Sequence, residues 1–113
     1  MHEMAIAQGI LDIVLQAAAE NDAAAVVRIK LQVGEMTEVV PEALTFCFAS
    51  LAAGTAAAAA ELEVEVMPLV GRCRDCGREF RVERFRFLCP GCGSAGVEIV
   101  SGRELRVEHL EVE

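Results

Sequence analysis

The sequence contains no tryptophan and no tyrosine, and only five phenylalanines among its 113 residues. Surfaces that bind single-stranded nucleic acid combine basic grooves with exposed aromatic side chains on which bases stack, and this chain has few such side chains. Basic residues are also scarce, because ten Lys and Arg stand against eighteen Asp and Glu, for a formal net charge of -8. Nucleic-acid binders need clustered cations to displace counterions from phosphate. We therefore expect no nucleic-acid partner.

Long apolar runs and an export signal are missing as well. The hydrophobic content is 54%, yet no eighteen consecutive residues are strongly apolar, and the alanine-rich stretch 52–60 is interrupted by Gly54 and Thr55. The start of the chain lacks the basic residues and the apolar segment of a signal peptide. These absences predict a cytoplasmic protein without a membrane span, in a reducing compartment where thiols remain free to bind metal.

Four of the five cysteines form two Cys-x-x-Cys pairs, Cys73 with Cys76 and Cys89 with Cys92, separated by twelve residues. This spacing is typical of a zinc ribbon, because two intervening residues let a tight turn bring both sulfurs of a pair to one ion. A glycine follows each pair directly and permits the positive φ that closes such a turn. Four thiolates would complete a tetrahedral Zn(II) site with no open position, so the predicted site is structural.

The residues between the two pairs predict the rest of this ribbon. Residues 79–88 alternate loosely, which predicts a short hairpin whose apolar side chains cover the metal: Phe80, Val82, Phe85 and Phe87. Six of the ten basic residues lie in the ribbon as a whole: Arg72, Arg74, Arg78, Arg81, Arg84 and Arg86. A basic ribbon on an acidic chain can contact RNA, an acidic partner protein or its own body. The lack of interleaved aromatics favours a protein.

Other uses of the cysteines are less consistent with the sequence. Two disulfides suit a secreted protein, and a single redox pair would leave the second pair without a use. Iron in the same four sulfurs is the main chemical competitor of zinc. The fifth cysteine, Cys47, lies in a predicted helix and is expected to be a small, buried apolar residue.

Two amphipathic helices are predicted. The first spans residues 4–21, with a buried stripe of Ile6, Ile10, Ile13, Val14 and Ala17. The second starts at Pro41, a favoured first-turn residue, and runs to about residue 53, burying Leu44, Phe46, Phe48 and Leu51.

Alternating segments predict three strands in the same body. The first is residues 26–33, with Val27, Ile29, Leu31 and Val33 on one face. The second alternates glutamates with apolar residues over 61–66, and pairing of these glutamates with Arg28 or Lys30 favours the two strands as neighbours. After the ribbon come extended segments at 97–100 and 104–112, and the phase of the last one slips at His109, which predicts a β-bulge.

The last strand follows the ribbon, and its natural place is in the sheet of the body. The predicted fold class is therefore α/β: a small body of two helices and a three-stranded mixed sheet, with an inserted zinc ribbon. The corresponding domains are a body of residues 1–69 with 103–113 and a zinc ribbon of residues 70–102.

A second metal site is suggested by the first three residues, Met1-His2-Glu3. Histidine is too large for removal of the initiator methionine, so the α-amine, the His2 imidazole and the nearby amides lie within chelate reach of one another. Nitrogen donors in a flat four-coordinate array suit Ni(II) or Cu(II) rather than zinc. The alternative is an ordinary loose terminus that contains a histidine.

Several segments together resemble the hydrogenase maturation nickel-insertion family, HypA/HybF. They are MHEMAIAQGILDIV, VVRIKLQVGEM, PEALTFCF, GTAAAAAELEVEVMPL, the CRDC and CPGC knuckles, and GRELRVEHLEVE. The resemblance covers essentially the whole chain in order, and the opening MHE combined with late paired knuckles is specific. The nearly pure alanine of residues 55–60 departs mildly from the family and weakens the case for a specific surface there.

This resemblance implies a non-enzymatic metallochaperone. It places a nickel site at Met1, His2 and Glu3 and a structural zinc site at Cys73, Cys76, Cys89 and Cys92. It further implies Ni(II) delivery to the large subunit of [NiFe]-hydrogenase together with the GTPase HypB, and, in some relatives, work with urease maturation proteins. His109 would then be either a fifth nickel ligand or, as we favour, a strand residue at the bulge.

Two other classes of function remain open from the sequence. A zinc-ribbon adaptor that binds proteins or RNA without nickel transfer would need only the four cysteines. A zinc or redox enzyme is disfavoured, because four thiolates leave no open coordination position and no set of residues suggests nucleophilic catalysis.

Overall fold

The computed structural model describes residues 2–113, which form two α-helices, one 3-10 turn and six strands. The elements are α1 Glu3–Glu20, β1 Val26–Gly34, the 3-10 turn Glu35–Thr37, α2 Pro41–Ala52, β2 Glu61–Met67, β3 Val70–Cys73, β4 Glu79–Arg81, β5 Val97–Ser101 and β6 Leu105–Val112. Within the described part of the chain, neither helix is long and apolar enough to cross a membrane.

The first sheet has the strand order β2-β1-β6, with β2 parallel and β6 antiparallel to the central strand. Because β1 and β2 are parallel, the chain must cross over between them, and α2 is that crossover. Arg28 contacts Glu61 at 3.2 Å and Lys30 approaches Glu65 to 3.9 Å, so the charged pairs that favoured these strands as neighbours are present. The prediction of a two-helix body with a three-stranded mixed sheet is confirmed.

The core lies between the two helices and this sheet. Its buried members from β1 are Val26, Ile29, Leu31 and Val33, and those from the helices are Ala7, Ile10, Leu11, Val14, Ala18, Leu44, Phe48 and Ala52. Cys47 is partly buried and packs against this cluster, as expected for a small apolar residue.

Three apolar residues predicted to be buried are exposed. Ile13 is 56% exposed because the buried face of α1 is centred near Ala7, about 120° around the helix from Ile13. Phe46 is 72% exposed because it lies two residues from Leu44, on the opposite side of α2. Val27 is 40% exposed because an irregularity in the pairing of β1 with β6 between Val26 and Arg28 changes which face the side chain occupies.

The predicted bulge in the last strand is present. Lys30 pairs with His109 whereas the next residue, Leu31, pairs with Val107, so Glu108 is the extra residue. This insertion explains the phase slip, because it returns Leu110 to the inner face, where it packs against the core as Val107 does.

A second sheet, with strand order β4-β3-β5, carries the cysteine pairs, and all its pairings are antiparallel. The predicted hairpin over residues 79–88 is wrong in extent: only Glu79–Arg81 is a strand, and turns follow it. The expected apolar cover is also wrong in part, since Val82 is buried but Phe85 is 47% exposed. The division into domains at residues 69/70 and 102/103 remains a prediction.

Close backbone packing joins the two sheets. A Cβ on Gly34 would lie 2.0 Å from the carbonyl oxygen of Gly102, and a Cβ on Gly102 would lie 2.7 Å from Cα of Leu69. The amide of Met36 also donates to the Gly102 carbonyl at 2.9 Å. Gly102 has φ +116°, so both its conformation and its surroundings require glycine.

Candidate metal centres

The first knuckle is built at the end of β3. Cys73 is the last residue of the strand, and its carbonyl accepts a hydrogen bond from the amide of Gly77 at 2.9 Å. The amide of Cys76 points at the Cys73 sulfur at 3.5 Å. Gly77 has φ +78°, the conformation that the sequence predicted for the residue after each cysteine pair.

The second knuckle repeats this geometry. The amide of Gly93 donates to the Cys89 carbonyl at 2.8 Å, and the amide of Gly91 approaches the Cys89 sulfur at 3.4 Å. Gly93 has φ +75°. The hydroxyl of Ser94 donates to Asp75, so a side-chain hydrogen bond also joins the two knuckles.

All four sulfurs meet in one cluster, with every pair within 4.8 Å. The Cys73 and Cys92 sulfurs are 3.5 Å apart, and the Cys76 and Cys89 sulfurs are 3.6 Å apart. All five cysteines are free thiols, so the sulfurs are not joined as disulfides. Cys73 and Cys89 are buried, whereas Cys76 and Cys92 lie at the surface.

The cluster fits a tetrahedral metal ion. With metal–sulfur distances of about 2.3 Å, a tetrahedral site has sulfur–sulfur distances of about 3.8 Å, close to those observed. Four sulfur donors in a closed arrangement suit zinc or iron, and carboxylates and waters are not required. A bound ion would supply charge neutralisation and a rigid link between the knuckles.

The electrostatics of the cluster also favour a cation. Burial tends to raise the pKa of Cys89, but hydrogen bonds from the amides of Cys92 and Gly91 outweigh burial and lower this pKa to about 6. The amide of Ser94 tends to lower the pKa of Cys92. Hydrogen bonds of the Cys92 thiol with the Cys73 sulfur and the other thiols outweigh this and raise the pKa of Cys92 to about 12. Without a cation, ionisation of one thiol therefore disfavours ionisation of its neighbours, because like charges at this distance repel. A bound cation would remove this repulsion and allow all four sulfurs to be thiolates.

The predicted nickel site is only partly described, since Met1 lies outside the described residues. His2 is exposed and directly precedes α1, and its carbonyl accepts the amide of Ile6 at 3.1 Å. Glu3 opens the helix, and its carboxylate accepts the amide of Val40 at 3.1 Å. This hydrogen bond is the main reason that the pKa of Glu3 is lowered, and a hydrogen bond from the backbone amide of Glu3 itself also contributes. The carboxylate is therefore ionised at neutral pH.

One short segment, residues 35–40, contacts both the ribbon and Glu3 of the predicted nickel site. At the start of this segment, Glu35 accepts hydrogen bonds from the amide of Leu69 and from the guanidinium of Arg81 in the ribbon. At its end, the amide of Val40 donates to the carboxylate of Glu3. The beginning of α1 therefore lies at the end of the body where the ribbon is attached.

His109 is a strand residue of β6, half-exposed, and its Nδ1 lies 2.7 Å from the Glu108 carboxylate. The structure thus provides a neighbour for this imidazole beside the bulge. Two residues in these contacts were missed from the sequence, Glu35 and Val40, because a strand-end glutamate and a main-chain amide carry no recognisable motif.

Comparison with known proteins identifies the family. The sequence profile of a family described as "Hydrogenase/urease nickel incorporation, metallochaperone, hypA" matches residues 1–112. The hydrogenase maturation factor HypA of Desulfitobacterium hafniense is 41% identical over 113 residues, covering 100% of this chain and 99% of the relative. That of Geobacter sulfurreducens is 44% identical, covering 100% of both chains, and that of Streptomyces avermitilis is 46% identical over 109 residues, covering 95% of this chain and 83% of the relative.

Solved structures agree with this fold. The solution structure of the nickel metallochaperone HypA from Helicobacter pylori superposes with a TM-score of 0.70 at 23% identity, covering 99% of this chain and 97% of the other. A solution structure described as HypA protein superposes with a TM-score of 0.75 at 23% identity, covering 100% of this chain and 97% of the other. The resemblance drawn from the sequence is confirmed: with a family match over nearly its whole length and a four-cysteine cluster, the chain belongs to the HypA family of nickel-incorporation metallochaperones.

Proposed function

We propose that this chain binds Ni(II) at its N-terminus, through Met1, His2 and Glu3, and delivers it for the maturation of [NiFe]-hydrogenase. The observation that carries this proposal is the family match over residues 1–112. The GTPase HypB and the hydrogenase large subunit are the proposed partners, and urease maturation proteins are further candidates. We also propose that the protein works without catalysing a reaction and in the cytoplasm.

The geometry near the N-terminus supports this carrier role. His2 is exposed, so an imidazole can meet a hydrated ion without opening the core. Glu3 is ionised and anchored by Val40, so it supplies a fixed negative charge beside a site for a divalent cation. A site on the surface of the chain can exchange its ion with a partner protein, because no buried cage must unfold.

For the four cysteines we propose a structural Zn(II) site. The support is the sulfur–sulfur spacing of 3.5–3.6 Å across the two knuckles and the absence of any non-sulfur donor from the cluster among residues 2–113. A closed set of four sulfurs stabilises the ribbon and offers no position for a substrate.

Calorimetric titration of Ni(II) into zinc-loaded protein without an affinity tag tests the nickel site. His2→Ala and a variant with one residue added before Met1 should both lose binding of the single nickel ion. His109→Ala is the matched control and should bind nickel like the wild type. Protons compete for imidazole and amine nitrogens, so the wild-type affinity should fall as the pH is lowered.

Other outcomes would assign the ion elsewhere. Equal binding by the wild type and the two N-terminal variants would show that nickel occupies a different site. If none of them binds nickel while all retain zinc, the ribbon adaptor without nickel transfer becomes the better account.

A further inference from the structure

The ribbon carries positive charge that the structure leaves unpaired. Arg72 and Arg81 form ion pairs, with Glu79 and Glu35, each at 2.9 Å. Within residues 2–113 the other ribbon arginines form no ion pair and no side-chain hydrogen bond: Arg74, Arg78, Arg84 and Arg86. The rest of the chain is strongly acidic, since residues outside 70–102 include four basic and fourteen acidic side chains.

Two of these arginines lie on a strained turn. Arg84 has φ +53° and Phe85 has φ +55°, and the amide of Arg86 donates to the Glu83 carbonyl at 3.0 Å. Two consecutive residues with positive φ form a type I′ turn, which Asn-Gly usually occupies. Arginine and phenylalanine are costly there, and such strain tends to occur where a loop binds something.

The turn forms one wall of an open cleft of about 460 Å³. Its apolar lining comes from Phe80, Leu88 and Pro90. Its charged lining is three arginines and one carboxylate, so positive charge predominates: Arg81, Glu83, Arg84 and Arg86. Leu88 is 49% exposed, and Phe85 beside the cleft is 47% exposed. The cleft therefore combines unpaired cations with uncovered apolar surface.

We propose that this cleft docks an acidic segment of a partner protein, with carboxylates on Arg84 and Arg86 and an apolar side chain against Phe80 and Leu88. Charge complementarity supports an anionic occupant, and the apolar lining distinguishes it from a simple ion. RNA is disfavoured because the acidic body would repel a long polyanion. Within residues 70–102 of the described chain, Phe85 is the only exposed phenylalanine on which a base could stack.

A binding measurement with defined probes tests this proposal. The acidic probe is a fluorescent dodecapeptide made of three Asp-Glu-Leu-Glu repeats, and the neutral probe replaces its acids with Asn and Gln. Fluorescence anisotropy with the zinc-loaded chain at about 0.15 M salt should show binding of the acidic peptide alone. The variant Arg84→Ala/Arg86→Ala should weaken this binding by about tenfold or more.

A charge-matched control separates the cleft from general attraction. Arg74→Ala/Arg103→Ala removes the same charge outside the cleft and should change affinity by less than about threefold. Phe85→Gly should relax the turn, so the melting temperature of the protein should rise. It also removes exposed apolar surface beside the cleft, so the affinity for the acidic peptide should fall. A turn with a merely structural role would not produce this combination. All variants should retain zinc and bind nickel as the wild type does, so this test is independent of the proposed nickel site.

Four results of the binding measurements would overturn the proposal. They are equal binding of the neutral peptide, equal loss in the charge-matched control, no binding of the acidic peptide, and tighter binding of a twelve-nucleotide uridine RNA. Self-association in sedimentation that Arg84→Ala/Arg86→Ala abolishes would instead assign the cleft to a second copy of this chain, and would also overturn it.

Discussion

Glu35 and Arg81 form an ion pair that joins the body to the ribbon, with 2.9 Å between the carboxylate oxygen and the guanidinium nitrogen. The same oxygen accepts the amide of Leu69 at 2.9 Å. Leu69 is 3% exposed and immediately precedes the ribbon strand β3, so Glu35 provides the side-chain acceptor for an amide at a buried residue. One carboxylate therefore contacts both the linker into the ribbon and the ribbon itself.

Truncation of Glu35 should cost more stability than truncation of its charged partner. Glu35→Ala leaves the Leu69 amide without its acceptor, which should lower the free energy of unfolding by about 1–3 kcal/mol. Arg81→Ala removes only an ion pair whose arginine side chain is 61% exposed, so about 0–1 kcal/mol is expected. Chemical denaturation of the zinc-loaded proteins measures both values.

Glu35→Gln separates the two roles, since the amide side chain still accepts from Leu69 but carries no charge. We expect it to behave like Arg81→Ala. If Glu35→Gln were as destabilising as Glu35→Ala, the ion pair rather than the hydrogen bond would hold the linker.

Zinc removal should unfold the ribbon but not the body. Binding to structural zinc sites of this kind contributes about 10–16 kcal/mol, whereas the small second sheet has little core of its own. A strong chelator, or Cys89→Ser, should therefore abolish amide protection in residues 70–102 and leave that of α1 and α2 intact in hydrogen exchange. This experiment also tests the proposed domain division.

Cys47→Ser is the matched control for the cysteine substitution, and it should leave the zinc content unchanged. If removal of zinc also abolished amide protection in α1 and α2, body and ribbon would unfold as one unit. That result would contradict the division at residues 69/70 and 102/103.

Gly102→Ala should be strongly destabilising. The added methyl would meet Cα of Leu69 at 2.7 Å, and φ at this position is +116°. Overpacking and backbone strain together should cost roughly 2–4 kcal/mol in thermal or chemical unfolding. Gly9→Ala is the control, because nothing lies within 4 Å of its Cβ and it is in the interior of α1. It should be stabilising by about 0.5–1 kcal/mol, and a loss there comparable to that of Gly102→Ala would contradict this account.

The contribution of Glu3 to stability should depend on pH. Its hydrogen bond from Val40 lowers the pKa of the folded state below the ordinary value of 4.5, so the ionised group stabilises the fold above that value. This stability is lost as the pH falls through the lower, folded pKa. Glu3→Gln mimics the protonated acid, so it should be less stable than the wild type at pH 7, and the difference should shrink as the pH drops below about 4.5.

Paired thermal unfolding curves of the two proteins at each pH measure this difference and cancel effects that they share, such as acid release of zinc. A difference that stays constant down to acidic pH would show that charge on Glu3 does not stabilise the folded state.

Local patterns in the sequence were sufficient for the elements and for the cysteine cluster. Alternation in β1 and β2, the phase slip at His109 and the two Cys-x-x-Cys pairs each reflect neighbours within a few residues, where spacing determines which side chains share a face or a turn. The same reasoning failed for Ile13 and Phe46, because several apolar stripes were available on each helix. Packing against the sheet selected only one of them.

Contacts between segments distant in the chain were decided by tertiary structure. The sequence predicted that two cysteine pairs meet, since both carry the same donor chemistry, but nothing in it indicated that Glu35 would reach Leu69 and Arg81 or that Val40 would hold Glu3. In the sequence, glycine at positions 34 and 102 indicates only conformational freedom of the backbone. The structure shows that the two backbones are in contact, so that neither position has room for a side chain. Short-range spacing thus determined the secondary-structure elements and the set of metal donors. The relative placement of the elements depended on how their side chains pack into one close-packed core that excludes water, which is a property of the whole chain.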